Sequence, residues 1–455
     1  MTEYAVVDPT TNRLVRRFPT ATDTEVDAAV DGAAEAFRSW RRRPVAERAR
    51  FLAAVAGLQR ERRHHLAAII TREMGKTTAE ALGEVDLCAD IHDYYAENAA
   101  AFTADRPLDV AEGSATVRTE PIGVLLGIMP WNYPYYQVAR FAAPNIALGN
   151  TVLLKHAPSC PESAAAIVAL FADAGLPEGV YTNLYATEAQ VARIIGHPAV
   201  QGVSLTGSER AGRAVGELAG RAMKKTVLEL GGSDPFIVLA DADPERAADA
   251  AVVGRMGNAG QACTAAKRFV VLDEVYDAFV AAFVERVAAL RVGDPGQEGT
   301  DLGPLSSEAA AQHVVGQVED AVAHGATVLT GGGRPDREGA FVEPTVLTGV
   351  APGTRAYREE IFGPVAVVHR VGSVDEAVAL ANDTPYGLGG VVFGADENAA
   401  LAVGDRLDTG MVSVNAPSRT QADLPFGGVK ASGVGRELGE YGMAEFVNRK
   451  LFRTP

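Results

Sequence analysis

Ile122-Gly123-Val124-Leu125-Leu126-Gly127-Ile128-Met129 is an apolar run of strand length, and the stretch it opens decides the fold. The pattern beyond it predicts a helix over 136–148, a strand over 151–155, a helix over 161–174, strands near 182–185 and 202–206, a helix over 209–223 and a strand over 226–230. Apolar strands that alternate with helices form a parallel sheet covered on both faces, with ligands at the carboxyl ends of the strands.

This reading gives an α/β protein with a Rossmann-like cofactor domain. Beyond Gly231 a second α/β unit is expected, with helices near 243–256, 275–290 and 307–324. Upstream, Asp8 to Asn12 reads as a turn between β-prone runs. Helices follow over 24–40, over 46–74 as one element ending at Gly75, and over 78–102. Alternation without helical period over 107–121 predicts a β-hairpin. Gly331-Gly332-Gly333 reads as a loop and not a phosphate cradle.

The chain has 455 residues, 47% of them hydrophobic and 22% charged, enough for two or three domains with large cores. A net charge of −16 disfavours nucleic acid and anionic membrane surfaces as partners. No basic leader with an apolar core and no spanning apolar window is found, so a cytoplasmic protein is expected. Cys88, Cys160 and Cys263 are too scattered for a disulfide framework, and the eight histidines show no metal-ligand spacing.

Gly260-Gln261-Ala262-Cys263-Thr264 and Glu229-Leu230-Gly231-Gly232 supply a thiol and a carboxylate. A cysteine catalyst needs its thiolate favoured and its thioester product opened, and Glu229 is a candidate to activate the water that does so. Taken singly, Cys263 also reads as inert packing and Glu229 as the partner of a base such as Lys224.

Together with Pro130-Trp131-Asn132-Tyr133-Pro134 and Glu360-Ile361-Phe362-Gly363-Pro364, these motifs resemble, in order and spacing, those of the aldehyde dehydrogenase superfamily, over essentially the whole chain. The resemblance implies the aldehyde dehydrogenase fold. Residues 1–103 and 122–230 would form the cofactor domain, 231–431 the catalytic domain, and 104–121 with 432–455 an oligomerisation arm of a homodimer or homotetramer. It also implies roles. Cys263 attacks the aldehyde, the Asn132 amide and the Cys263 N–H hold the oxyanion, and Glu229 activates water. A glutamate at 229 argues against transfer of the acyl group to coenzyme A.

For the cofactor, Leu205-Thr206-Gly207-Ser208 matches the family's phosphate turn, although G-x-G-x-x-G is absent. Glu360 and Phe362 match residues that hold the nicotinamide ribose and flank the ring, Trp131 is a further cofactor-binding candidate, and Lys155 matches the adenosine ribose contact. Three positions beyond Lys155 stands Pro158 in place of the glutamate that often binds an unphosphorylated ribose, with Ser159 next to it. The expectation leans to NADP, with NAD open.

Within the family the chain most resembles succinate-semialdehyde dehydrogenases, through 127–132, 154–158 and 229–235. Arg140 stands where those enzymes bind the substrate carboxylate, while the second arginine that some of them carry is replaced by Gly257. Arg419 and Thr420, in the substrate-entry loop, are candidates to complete that site, and Tyr136 is expected in the tunnel wall. Arg140 in a helix-surface salt bridge and Tyr136 in core packing are the plainer readings. The expected function is NAD(P)-dependent oxidation of succinate semialdehyde, or a similar short ω-carboxylated aldehyde, to the acid. A broader aliphatic aldehyde dehydrogenase, a catalytically silent protein of the same fold and a cofactor-free thiol hydrolase remain as alternatives.

Overall fold

The structure is a computed structural model that describes residues 3–455. A six-stranded sheet runs Gly433–Val434, Lys225–Glu229, Val200–Thr206, Val124–Met129, Thr151–His156, Tyr181–Asn183, parallel except at its first pair. The middles of its central strands are apolar because both faces are covered. Val124, Leu126, Leu153 and Val203 pack with Val26, Val30, Ile194 and Val215 of the helices on one side. Leu125, Val152 and Leu154 meet Phe141, Ile146 and Leu52 on the other. A Cβ at Gly127 would stand 2.5 Å from the Phe141 ring, so glycine there lets helix Tyr136–Leu148 lie against the strand.

A seven-stranded sheet runs Thr327–Thr330, Thr345–Thr348, Val365–Val371, Ala266–Leu272, Asp234–Val238, Gly389–Phe393, Met411–Val414, again parallel except at its first pair. It too has an apolar cluster on each face. Arg106–Leu108, Ser114–Pro121 and Val447–Thr454 form a separate antiparallel sheet. Among the described residues no helix is long and apolar enough to cross a membrane.

Four local expectations differ from the structure. The helix expected over 46–74 is two, Val45–Glu61 and Arg63–Met74, with Arg62 at φ −98°, ψ 15° between them. The first long helix starts at Asp23 because Thr22 and Glu25 form a reciprocal capping box. Helix Glu188–Gly196 went unread, although Thr187 and Gln190 cap it in the same way. Finally, 432–446 lies outside the three-stranded sheet that Val447–Thr454 joins. Gly433–Val434 pairs with Leu228 and Glu229, and Gly433, at φ 131°, is required there because a side chain would collide with the Leu228 carbonyl.

Candidate active site

The thiol sits on a constrained turn. Helix Pro244–Met256 ends at Gly257, after which Asn258, Ala259 and Gly260 all take positive φ, at 55°, 51° and 72°. Alanine rarely adopts this conformation, so the surroundings must hold it. Asn258 Nδ2 donates to the carbonyls of Asn132 at 3.0 Å and Gln261 at 3.1 Å. Gln261 Oε1 accepts from Ser306 N at 2.9 Å. Buried Arg255 donates to the carbonyls of Val365 at 2.7 Å, Ile361 at 2.9 Å and Gly363, fixing the loop that carries Glu360 and Phe362. Arg255 therefore braces the neighbouring loop.

Asn132 is held at both ends of its amide. Nδ2 donates to Gln261 O at 3.0 Å, and Oδ1 accepts from Gln137 Nε2 at 3.0 Å, so the group cannot flip and a second N–H stays available. Among the described residues no protein acceptor takes the Cys263 N–H. Burial pushes the Cys263 thiol up to about 12, while Arg140 and Lys267 pull it down. Sequence reasoning missed Gln137, which lies only one helical turn past Asn132.

Glu229 ends strand Lys225–Glu229, and both its carboxylate oxygens are buried without a hydrogen-bond partner. Burial holds its carboxyl well above the ordinary range; nearby Arg140 lowers it and Glu437 raises it further. The alternative partner is engaged elsewhere, since Lys224 Nζ donates to His197 O at 3.3 Å. The carboxyl has the unfilled acceptors and raised proton affinity of a general base, but it lies outside the cavity that Cys263 lines.

Trp131, Asn132, Gly207, Ser208, Cys263, Glu360 and Phe362 line one cavity of about 250 Å³, together with Gln137 and Leu230. The Trp131 and Phe362 rings meet edge to face at 5.6 Å. Gly207 N donates to the Glu229 carbonyl at 2.9 Å, and Ser208 caps helix Glu209–Arg221, whose amino end faces this edge of the sheet. Lys155 pairs at the level of Ile128, as Leu205 does, so it emerges at the same edge though outside the cavity. Burial lowers its ammonium, and Nζ lies 5.8 Å from the Tyr4 ring centre. Ser159 Oγ stands 3.8 Å from Cys160 Sγ, also outside the cavity. The donor set fits a dinucleotide: a helix amino end for phosphate, two flat rings, a carboxylate, and Lys155 and Ser159 without an opposing acid at Pro158.

The substrate cation is not placed as expected. Arg140 is 1% exposed. Its Nε is in ion-pair contact with Glu437, Nη1 donates to Tyr136 Oη at 3.0 Å and Nη2 to Thr206 Oγ1 at 2.9 Å. The guanidinium is stacked against Phe426 as well, 4.5 Å from the ring centre. Burial opposes its charge, but Glu437 and Tyr136 hold it above its ordinary range. Arg140 is thus a buried, partnered cation and not an open receptor at a tunnel end, and its ion pair lies in the interior and not on the helix surface. Tyr136 is likewise buried as Arg140's acceptor. Exposed Arg419 and half-buried Thr420 lie outside the Cys263 cavity.

The model of the aldehyde dehydrogenase family matches residues 1–452. The chain is 56% identical over 451 residues to a succinate-semialdehyde dehydrogenase [NADP(+)] of Deinococcus radiodurans, covering 99% of this chain and 94% of that one. It is 47% identical over 449 residues to succinate-semialdehyde dehydrogenase [NADP(+)] 1 of Mycobacterium tuberculosis, covering 98% of each. The crystal structure of succinic semialdehyde dehydrogenase from Streptococcus pyogenes in complex with NADP+ superposes with a TM-score of 0.98 at 43% identity, covering 99% of this chain and 100% of that one. The turn of Cys263, the amide of Asn132 and the match along the chain lead to one conclusion: this protein belongs to the aldehyde dehydrogenase family.

Proposed function

We propose that the protein oxidises succinate semialdehyde, or a similar short ω-carboxylated aldehyde, to the acid with NADP. The observation that carries this reading is the single cavity in which Cys263, Asn132, Glu360, Trp131 and Phe362 converge beside the Gly207-Ser208 turn. The NADP-dependent succinate-semialdehyde dehydrogenases among its relatives support the substrate and cofactor.

In this reading the Cys263 thiol releases its proton to solvent, its thiolate adds to the aldehyde carbon, and the oxyanion is held by the free Asn132 N–H and the Cys263 N–H. A nicotinamide held by Glu360, Trp131 and Phe362 would supply the hydride acceptor that oxidation of the Cys263 thiohemiacetal to a Cys263 thioester requires. Glu229 takes a proton from water, the water oxygen attacks the thioester, and the thiol is returned as the acid leaves. Lys155 and Ser159 would bind the 2′-phosphate end, Gly207 and Ser208 the pyrophosphate, and Glu360 the nicotinamide ribose.

Two α/β units, a cofactor unit over 1–103 and 122–230 and a catalytic unit over 231–431, are part of the proposal, as is a cytosolic setting. So is homo-oligomerisation as a dimer or tetramer, in which the edge strand Val447–Thr454, with Leu451 exposed, pairs with another chain. One observation favours a second reading. Because Arg140 is occupied by Glu437, a broader aliphatic aldehyde dehydrogenase also accommodates the site.

Succinate semialdehyde with NADP should give succinate and NADPH in equal amounts, and Cys263→Ser should abolish both. Failure of a panel of aldehydes to reduce either NADP or NAD would remove the dehydrogenase reading.

A further inference from the structure

Lys267 is a buried cation at the nucleophile that the reaction sketched above does not use. Strand Ala266–Leu272 pairs Ala266 with Asp234 but Arg268 with Pro235, so Lys267 is the extra residue of a bulge. Bulges re-aim a side chain beside active sites. This one turns the lysine back beneath Cys263. Its Nζ donates to the carbonyls of Cys263 at 2.8 Å, Ala265 at 3.1 Å and Ala262 at 3.2 Å, and lies 3.3 Å from Glu360 Oε1. Glu360 Oε1 in turn accepts from Gly232 N at 3.1 Å. The lysine side chain is 2% exposed, so these contacts act away from bulk water.

The Ala262 carbonyl and the Cys263 N–H belong to one peptide unit. That unit is planar and trans, so its C=O and N–H point in opposite directions. A cation fixing the carbonyl on one side therefore aims the N–H to the other, and by drawing electron density toward the oxygen it makes that N–H a stronger donor. The Cys263 N–H has no protein acceptor among the described residues.

We infer that Lys267 is a positioning residue of the oxyanion site: it orients and polarises the Ala262–Cys263 peptide, and its contact with Glu360 ties that peptide to the nicotinamide-ribose carboxylate. The inference rests on Cys263 being the nucleophile. It makes the oxyanion site depend on a bulge residue with no direct contact to the substrate.

The test compares two reactions of the same sulfur in the full-length enzyme. Acylation by succinate semialdehyde, read as the single-turnover burst of NADPH, builds charge on an oxygen. Alkylation by iodoacetamide, read at Cys263 by peptide mass, does not. Lys267→Met, and Lys267→Gln in case the first variant folds poorly, should slow acylation on the order of ten- to a hundredfold more than alkylation, and Lys267→Arg should recover part of the loss. Equal slowing of the two reactions would mean that Lys267 acts on the thiol alone, and no slowing of either in folded protein would leave it a merely structural contact; both overturn the inference. A Cys263→Ser enzyme that kept its burst would instead refute the reading of the nucleophile, which separates the two failures.

Discussion

The Arg140 guanidinium and the Glu437 carboxylate form an ion pair inside the protein, 1% and 5% exposed at their side chains. The two come from helix Tyr136–Leu148 and from a segment almost three hundred residues later, so the pair joins the tail of the chain to the helix that follows Asn132. Removing one partner of a buried pair strands the other charge, at a cost of about 3–5 kcal/mol. Glu437→Ala should therefore lower the unfolding midpoint in urea far more than Arg140→Met with Glu437→Gln does, since the double change leaves no charge. Equal losses in equilibrium unfolding would show that the pair contributes little.

Gln137 holds Asn132 without touching the reacting atoms. Gln137→Leu should lower kcat by up to about a hundredfold, as misplacement of a positioned group does. The KM for aldehyde should change little. Asn132→Ala, which removes the donor itself, should cost on the order of 10² to 10³ in kcat. Steady-state kinetics of the two variants checks the ranking, and a Gln137→Leu enzyme with wild-type kcat would remove Gln137 from the account.

Burial raises the proton affinity of the Glu229 carboxyl, and only its deprotonated form can take a proton from water. The deacylation rate should thus climb with pH above the ordinary carboxylate range instead of levelling off near pH 5. Glu229→Gln should keep the initial burst of NADPH, lose turnover, and lose this rising limb. Stopped-flow traces between pH 5 and 9 separate the steps; a burst that disappears in Glu229→Gln would place the residue earlier in the reaction.

Pro158 leaves the expected ribose edge without a carboxylate, three positions beyond Lys155. Pro158→Glu should reduce kcat/KM with NADP relative to NAD on the order of tenfold or more, because it sets a like charge against a 2′-phosphate. Lys155→Ala should raise the KM for NADP. An unchanged ratio in Pro158→Glu would put the 2′-phosphate elsewhere.

The parallel strands and helices around Val124–Met129 and the cavity residues from Trp131 to Phe362 were legible because they rest on local apolar runs and compact motifs. What stayed hidden rests on distance or register. Glu437 carries no local signal of its partner Arg140, and Lys267 acquires its role only from a one-residue slip against Asp234–Val238. The break at Arg62 was invisible because apolar spacing continues across it, from Val55 to Leu66 and Ile70. Gly433 looked like the start of a tail, yet it is the one residue type that can lie against Leu228.

The most direct test of the account is the ratio of kcat/KM for succinate semialdehyde to that for butanal, with NADP saturating. The two aldehydes share a chain length and differ in the terminal carboxylate. A site that recognises the carboxylate should favour succinate semialdehyde by roughly thirty- to several-hundredfold, or about 2 to 4 kcal/mol. A ratio near one would contradict the proposed substrate, leave Arg140 as an internal brace for Glu437, and make the enzyme a general oxidiser of aliphatic aldehydes.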